Sequence, residues 1–268
     1  MISDREAARY CIIGDPIAHS LSPAMQSAAF AAAGISARFD AIRVPEGEAA
    51  GAVADLRTQG FAGFNVTTPL KEEVAACLDT MTESARNAGA VNTVRRDGDG
   101  WTGHNTDGEG CARAVHELWS PTYDGLEVLL LGAGPAARAI ALALSARGAV
   151  VACWSRRPER AVNLGPPPTR PAMLVISALP ADASIPADVI AGIDPDADIF
   201  DINYASARSP LPPNVGARRS DGIPMLLHQG ALAFAWWTGK DAPIEAMRAV
   251  LERAQGRAER PGTENSPR

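Results

Sequence analysis

Short apolar runs alternate with alanine-rich amphipathic stretches along most of the chain, and this alternation predicts a parallel α/β protein. The apolar runs predict strands over residues 10–13, 39–44, 64–67, 126–131, 150–154, 173–177 and 199–202. The amphipathic stretches predict helices over residues 22–34, 48–58, 70–78, 108–119, 135–148 and 244–255. Residues 90–96 and 101–105 flank an Asp-Gly-Asp-Gly turn, which predicts a hairpin.

The composition is typical of a protein that builds a full hydrophobic core, with 46% hydrophobic and 21% charged residues. A formal net charge of -6 gives no support to nucleic-acid binding or to a membrane-surface role, because both favour basic patches. No apolar run could span a bilayer and the N-terminus lacks the layout of a signal peptide, so we expect a cytoplasmic protein. The four cysteines form no Cys-x-x-Cys pair and the four histidines have no ligand spacing, which predicts neither a disulfide framework nor a metal site.

One glycine-rich turn stands in the context that dinucleotide-binding proteins require. Gly132-x-Gly134-x-x-Ala137 follows a strongly apolar run and opens a helix. Gly132 permits the tight turn, Gly134 lets the backbone approach a pyrophosphate at the positive helix N-terminus, and Ala137 allows close helix packing. The alternative is a glycine turn in an ordinary α/β domain.

The end of the following strand indicates which nicotinamide cofactor such a site would take. Proteins that bind NAD usually place a carboxylate there to hold the ribose 2′-hydroxyl. This strand ends in Trp154, Ser155, Arg156 and Arg157, with no carboxylate. Two guanidiniums suit a 2′-phosphate, because each offers a planar fork of donors. The pattern therefore favours NADP, and the alternative is a solvated basic turn.

Four further segments end a strand-like run in polar side chains, and the carboxyl ends of strands are where open α/β sheets bind ligands. These segments are residues 14–23, 65–71, 90–93 and 103–108. In the first of them, Ser20 and Ser22 could present two hydroxyls to a polyol or a carboxylate near a helix N-terminus. The alternative for Ser22 is a simple helix cap, and for Lys71 a solvated surface lysine.

In this order and spacing, the motifs resemble those of the shikimate dehydrogenase family, and the match covers nearly the whole chain. The first motif is the loop at residues 14–23 with Ser20 and Ser22, which we call the serine loop. The others are Asn-Val-Thr-Thr-Pro-Leu-Lys at 65–71, Gly-Ala-Val-Asn-Thr at 89–93, Asn-Thr-Asp-Gly at 105–108, Gly-Ala-Gly-Pro-Ala at 132–136 and Gly-Ile-Pro-Met-Leu-Leu-His-Gln at 222–229. The resemblance implies an NADP-dependent oxidoreductase of aromatic amino acid biosynthesis that reversibly reduces 3-dehydroshikimate to shikimate. It implies a small-molecule substrate, no nucleic-acid or membrane partner, and a monomer or homodimer.

The resemblance also implies roles for individual residues. Lys71 matches the family's catalytic lysine and Asp107 its partner aspartate, and carbonyl reduction does need a proton donor at the oxygen. The positions that match substrate-binding residues are Ser20, Ser22, Thr67, Lys71, Asn92, Asp107, Tyr204 and Gln229. The positions that match NADP-binding residues are Gly132, Ala133, Gly134, Pro135, Ala136, Ser155, Arg156, Arg157, Ile202 and Gly222.

The fold that the resemblance implies is an α/β substrate domain followed by a Rossmann-type dinucleotide-binding domain, with a C-terminal helix that returns to the substrate domain. We expect the substrate domain to comprise residues 1–106 and 223–260, and the NADP-binding domain residues 107–222. The polar tail over residues 261–268 is expected to be disordered.

Three departures from the family pattern keep other functions open. Residues 205–209, after Tyr204, lack the family's usual proline and threonine. Pro135 stands where the family usually has a second adjacent glycine, and Ala-Leu-Pro at 178–180 stands where it commonly has an Asn-x-Thr segment near the nicotinamide. One alternative is a dehydrogenase of quinate or a related cyclohexane carboxylate, including one that uses NAD. The other is a non-catalytic ligand-binding relative, against which the intact Lys71 and Asp107 argue.

Overall fold

The structure, a computed structural model, describes residues 7–157, 159, 171–204 and 208–258. Its strands are β1 Ala8–Gly14, β2 Ala37–Arg43, β3 Gly63–Val66, β4 Thr80–Met81, β5 Thr93–Asp97, β6 Gly100–His104, β7 Glu127–Leu131, β8 Val150–Trp154, β9 Leu174–Ser177, β10 Asp198–Asp201 and β11 Arg218–Ser220. Its helices are α1 Ser22–Ala32, α2 Ala49–Thr58, α3 Lys71–Ala76, α4 Glu83–Ala88, α5 Asp107–Trp119, α6 Pro135–Ser145, α7 Ala187–Ala191, α8 Ile223–Thr238 and α9 Ile244–Ala258. Residues 163–170 belong to a proline-rich stretch for which the sequence predicts a loop or a shortened helix, and they lie outside the described residues. So do residues 205–207 and the polar tail from 261.

The first sheet has six strands in the order β2-β1-β3-β5-β6-β4. Strand β1 pairs in parallel with β2 and β3, while β5 forms the predicted antiparallel hairpin with β6. Strand β1 is buried over its last five residues, which is why its sequence is a continuous apolar run rather than an alternating one. We call this sheet, with α1–α4, α8 and α9, the six-stranded half.

The second sheet has five strands in the order β11-β10-β9-β7-β8, and every pairing is parallel. Helix α6 connects β7 to β8, whereas the next strand, β9, lies on the other side of β7. The strand order therefore reverses between β7 and β9. Helix α5 belongs to the same core, because Cys111, Ala114 and Val115 are buried against side chains of β7 and α6. We call this sheet, with α5–α7, the five-stranded half.

The chain returns to the six-stranded half through its last two long helices. Phe234 of α8 and Met247 and Leu251 of α9 are buried in one cluster with Tyr10 of β1 and Phe30 of α1. The ring of Trp237 lies in that cluster, and its Nε1 donates to the Val94 carbonyl oxygen at 2.9 Å. The prediction that the C-terminal helix returns to the part of the molecule formed by the start of the chain is therefore confirmed.

The strong apolar runs all form the predicted strands, whereas the sequence analysis gave no bounds for the long helix α8 and no counterpart for four short elements. These are β4, α4, α7 and β11, each of two to six residues. They are too short to show a period of either kind, and tertiary contacts decide their conformation. None of the helices in the described part of the chain is long and apolar enough to cross a membrane.

Candidate active site

Two cavities open at the carboxyl ends of the two sheets, each where the strand order reverses. In the six-stranded half the reversal lies between β1 and β3, where Gly14 approaches Thr67 so closely that a Cβ on Gly14 would stand 2.3 Å from its Cγ2. In the five-stranded half it lies between β7 and β9, where a Cβ on Gly132 would stand 3.0 Å from the Ala178 carbonyl oxygen. Open α/β sheets bind ligands at such points, because the loops diverge there and leave a crevice.

The first cavity has a volume of about 380 Å³ and lies between the two halves. It contains most of the residues that the sequence analysis assigned to the substrate: Ser22, Thr67, Lys71, Asn92, Asp107, Tyr204 and Gln229. These residues come from several separate segments of the chain, so their meeting is a product of the fold rather than of proximity in sequence. The volume suits a small polar molecule.

Lys71 and Asp107 form an ion pair inside this cavity. The Lys71 Nζ stands 2.6 Å from Asp107 Oδ2, and the two side chains are only 13% and 5% exposed. Lys71 is the first residue of α3 and Asp107 the first of α5, so the pair joins the two halves. The alternative of a solvated surface lysine is therefore wrong.

Asn92 organises the polar side of the pair. Its Nδ2 donates to Asp107 Oδ1 and to Thr106 Oγ1, both at 2.8 Å. Its Oδ1 accepts from the Thr106 amide at 2.9 Å and from the Thr93 hydroxyl at 3.0 Å. Asn92 is 3% exposed, so these bonds hold the Asp107 carboxylate without competition from water.

Asn65 extends this network along the wall of the cavity. Its Nδ2 donates to the Asn92 carbonyl oxygen and to Thr93 Oγ1, each at 3.0 Å. Asn65 lines the cavity and is 4% exposed, although the sequence analysis gave it no role of its own. Its place near the end of the buried β3, two residues before Thr67, is the signal that could have found it.

The serine loop enters the cavity differently from a simple helix cap. The alternative prediction that Ser22 caps α1 is wrong, because Ser22 is the first helical residue and the capping position is Leu21, without a side-chain hydrogen bond. The Ser22 amide instead donates to Ser20 Oγ at 3.3 Å. The Ser22 hydroxyl is therefore not used as a cap, and Ser22 lines the cavity at the N-terminus of α1.

Tyr204 lines the first cavity, whereas Ser20, which the sequence analysis also assigned to the substrate, does not line it. The Tyr204 hydroxyl makes hydrogen bonds with the Ser20 side chain and the Leu21 backbone. Burial raises the pKa of Tyr204, and these two hydrogen bonds oppose the shift only in part. The phenol is therefore neutral around pH 7 and can donate a hydrogen bond to an anion.

Gln229 reaches the cavity from α8 and is fixed by backbone packing. A Cβ on Gly110 of α5 would stand 2.7 Å from the Gln229 Cβ, so only glycine lets α5 and α8 approach this closely. The Gln229 Nε2 donates to the Leu226 carbonyl oxygen at 3.0 Å, and its Oε1 faces Asn92 Nδ2 at 3.5 Å. Gln229 is therefore held beside the Asn92 network.

The second cavity has a volume of about 520 Å³ and lies beside the N-terminus of α6. It gathers six residues that the sequence analysis assigned to NADP: Gly132, Ala133, Gly134, Ser155, Arg156 and Arg157. Residues Ala178, Leu179 and Pro180, the segment that departs from the family pattern, also line it. Pro135 lines neither cavity, and as the first residue of α6 it loses no intrahelical hydrogen bond.

Three residues assigned to the cofactor lie in the first cavity instead of the second. Ala136, Ile202 and Gly222 line the space that contains Lys71, next to Asn203, Met225 and Leu226, which the sequence analysis did not single out. Gly222 also has a packing reason to be glycine, since a Cβ there would stand 1.9 Å from the Ile202 carbonyl oxygen. Their position marks the place where a ligand of the five-stranded half would meet a ligand of the six-stranded half.

The residues that the structure describes contain no group of three or more His, Cys, Asp or Glu side chains that could hold a metal ion. His104 bonds to the hydroxyls of Thr82 and Ser84 and stacks on Trp236. His228 pairs with Glu117 at 2.8 Å. Both histidines are thus engaged in packing and hydrogen bonding outside the two cavities.

Comparison with known proteins agrees with this geometry. Residues 12–94 match the model of the shikimate dehydrogenase substrate binding domain, and residues 222–252 match that of the shikimate 5'-dehydrogenase C-terminal domain. The shikimate dehydrogenase (NADP(+)) of Desulfitobacterium hafniense is 36% identical over 91% of this chain and 97% of its own length.

Solved structures show the same architecture. Shikimate 5-dehydrogenase from Thermus thermophilus, in complex with NADP(H) and shikimate, matches with a TM-score of 0.81 and 34% identity over 92% of this chain and 99% of its own. The 5-ketofructose reductase of a Gluconobacter strain matches with a TM-score of 0.77 and 26% identity over 93% of this chain and 99% of its own. The predicted two-part α/β fold is thereby confirmed. With its motifs, its fold and a relative of this identity along nearly its whole length, the chain belongs to the shikimate dehydrogenase family.

Proposed function

We propose that this protein is an NADP-dependent shikimate dehydrogenase, which reversibly reduces 3-dehydroshikimate to shikimate. The observation that carries the proposal is the buried Lys71–Asp107 pair, which lies in a cavity of small-molecule size where the two halves meet. The relatives of similar length are named shikimate dehydrogenase (NADP(+)), which supports the same substrate and cofactor here.

The residues around the second cavity fit NADP. Gly132 has a φ of +122°, which side chains other than glycine rarely adopt, and a Cβ on Gly134 would meet nothing within 4 Å. The first-turn amides of Ala136 and Ala137 have no partner within α6, and unpaired amides at the positive end of a helix favour an anion. Arg156 and Arg157 are exposed, and within the described residues neither forms an ion pair, which leaves both free for a 2′-phosphate.

In the mechanism that we propose, Lys71 transfers the proton. NADPH, when bound, supplies the hydride to the carbonyl carbon of the substrate. The Lys71 ammonium donates a proton to the carbonyl oxygen, so that the C=O bond becomes CH–OH, and in the reverse direction the neutral amine takes that proton back. Asp107 fixes Nζ at 2.6 Å, and Asn92 fixes Asp107 from the other side.

The remaining polar groups orient the substrate. Ser22 and Tyr204 lie at the N-terminus of α1, where hydroxyl donors and the helix dipole favour a carboxylate. Thr67, Asn92 and Gln229 lie towards Lys71 and have the donors and acceptors that ring hydroxyls need. A substrate with a carboxylate at one end and hydroxyls at the other would place its reacting carbon near Lys71.

We also propose the division into domains that the sequence predicts. Residues 1–106 and 223–260 would form the substrate domain and residues 107–222 the NADP-binding domain. Asp107 at the start of α5 and Gly222 before α8 fit this division, because both lie where the chain crosses between the two halves.

The direct test is the absorbance of reduced nicotinamide, with shikimate and quinate each paired with NADP and NAD. We expect rapid turnover with shikimate and NADP only. A preference for quinate or for NAD would mean that the departures at Pro135 and residues 178–180 mark a different dehydrogenase. No turnover in any of the four mixtures, together with a shikimate-induced rise in melting temperature, would indicate a binding protein.

A further inference from the structure

Arg138 belongs to the five-stranded half, but its guanidinium binds the six-stranded half. It lies in the first turns of α6, four residues after Gly134. Its Nη2 stands 2.6 Å from Glu72 Oε1 of α3, and its Nε donates to the Ala88 carbonyl oxygen at 3.0 Å. The Arg138 side chain is only 17% exposed, so its guanidinium and these two partners are largely shielded from water.

The position of this arginine on its own helix is unfavourable. A cation near a helix N-terminus faces the positive end of the helix dipole, and a long side chain loses rotamer freedom when it is fixed. Groups outside α6 offset both of these unfavourable contributions. Ala88 is the last residue of α4, where carbonyl oxygens have no helical partner, and Glu72 carries the opposite charge. The interaction across the two halves is therefore what stabilises Arg138 in this orientation.

Both anchors are attached to the proposed catalytic groups. Glu72 is the neighbour of Lys71 on α3. Ala88 precedes the segment that carries Asn92, and this segment is bonded back to α3, since the Val91 amide donates to the Lys71 carbonyl oxygen at 3.0 Å. On the other side, Gly134 at the N-cap of α6 lines the second cavity, and Ala136 in the first turn of α6 lines the first cavity. One guanidinium thus links the start of α6 to the backbone around Lys71.

We propose that Arg138 is a positioning residue, which sets the placement of the Lys71 segment relative to the N-terminus of α6. This inference rests on the proposed function, because it gives the spacing a role in the reaction between a substrate beside Lys71 and a cofactor at α6. The Lys71–Asp107 pair also crosses between the halves, so a change in their relative placement acts directly on the groups that move the proton. Small displacements of reacting groups lower turnover strongly while binding changes little.

The test replaces Arg138 and separates positioning from binding. We expect Arg138→Met to lower kcat about 10- to 100-fold, while the KM values for shikimate and NADP change by less than about threefold. The charge exchange Arg138→Glu with Glu72→Arg should recover part of the lost kcat, because it restores the ion pair. Glu72→Gln removes the same pair from a more exposed side chain and should lower kcat several-fold, which keeps the inference testable if Arg138→Met does not fold.

A matched control is Arg218→Met. Arg218 makes two hydrogen bonds of 2.6 Å with Asp198, but both residues lie within the five-stranded half. We expect its kcat to stay within about twofold of the parent protein, since no contact between the halves is lost. Hydrogen exchange gives a readout that needs no turnover. The amides over residues 71–88 should exchange faster in Arg138→Met than in the parent protein, and at the parent rate in Arg218→Met.

Two results would overturn the inference. An unchanged kcat in Arg138→Met would show that the contact has no part in turnover. A raised KM for NADP at unchanged kcat would show that Arg138 acts as a positive charge for the cofactor instead. If the parent protein itself does not oxidise shikimate, the proposed function fails, whereas the hydrogen-exchange comparison still decides whether Arg138 links the two halves.

Discussion

The two cavities differ in how their polar side chains are held. In the first, Asn92 and Asp107 are 3% and 4% exposed and are bonded to one another. In the second, Arg156 and Arg157 are exposed, and within the described residues neither guanidinium forms an ion pair, while the Arg157 amide donates to Ser155 Oγ at 3.0 Å. A buried network is preorganised before any ligand arrives, whereas exposed guanidiniums are ordered only by the phosphate that binds them. We therefore expect substitutions in the first cavity to affect turnover and those in the second to affect cofactor affinity.

The largest effect is expected for Lys71→Ala. Loss of the proton donor should lower kcat about 10³-fold, the usual range for a general acid, while shikimate binding measured by calorimetry weakens far less. The chain has one other lysine, the exposed Lys240, so Lys240→Ala is a matched control and should leave kcat unchanged. An unchanged kcat in Lys71→Ala would remove this lysine from the mechanism.

Asn92→Ala is expected to cost stability as well as turnover. The change leaves the Thr106 amide and one Asp107 oxygen without their buried partner, which should lower the free energy of unfolding by about 2–3 kcal/mol. Urea denaturation measures this loss, and the exposed Asn87→Ala on α4 is the control. If both variants unfold at the same urea concentration, the network around Asn92 is not held as tightly as its geometry indicates.

Much of this arrangement was predictable from the sequence, because strand ends and glycine positions are local signals. The Gly132 turn follows a strongly apolar run, and the polar residues after β3 and β6 stand at strand ends, where open α/β sheets bind ligands. The Arg138 contact with Glu72 was not predictable in this way, since 66 residues separate the two in the chain. Nor was the role of Asn65, whose partners depend on the antiparallel pairing of β3 with β5.

The wrong alternative for Ser22 has a similar explanation. A serine before a proline at a helix start is typical of a cap, but here the helix begins one residue earlier than that pattern indicates. The placement of Ala136, Ile202 and Gly222 in the first cavity also depends on how the two halves meet. No property of the separate motifs carries that information.

A smaller effect concerns His104, which lies outside both cavities. Burial, reinforced by the Arg95 guanidinium, lowers the pKa of His104 below its ordinary value of 6.5. As the pH falls below 6.5, the unfolded chain therefore takes up a proton at His104 before the folded chain does. The stability that depends on neutral His104 is complete above pH 6.5 and is lost as the pH falls towards the lowered pKa.

We expect His104→Gln to reduce the fall in unfolding free energy between about pH 7 and pH 5 by less than about 1 kcal/mol. Burial also lowers the pKa of His228, so part of the slope should remain. Denaturation at several pH values measures it, with the exposed His116→Gln as the control. An identical slope in both variants would mean that His104 is equally protonated in the folded and unfolded chains.

The claim that the first cavity contains the reacting groups, whereas the second cavity determines the affinity for the cofactor, is tested most directly by one measurement. It is the steady-state kinetics of the double variant Arg156→Ala/Arg157→Ala with shikimate and increasing NADP. We predict a KM for NADP that rises at least about tenfold, while kcat at saturating NADP stays within about twofold of the parent protein. A fall in kcat as large as that of Lys71→Ala would contradict the account, because the exposed turn after β8 would then take part in turnover itself.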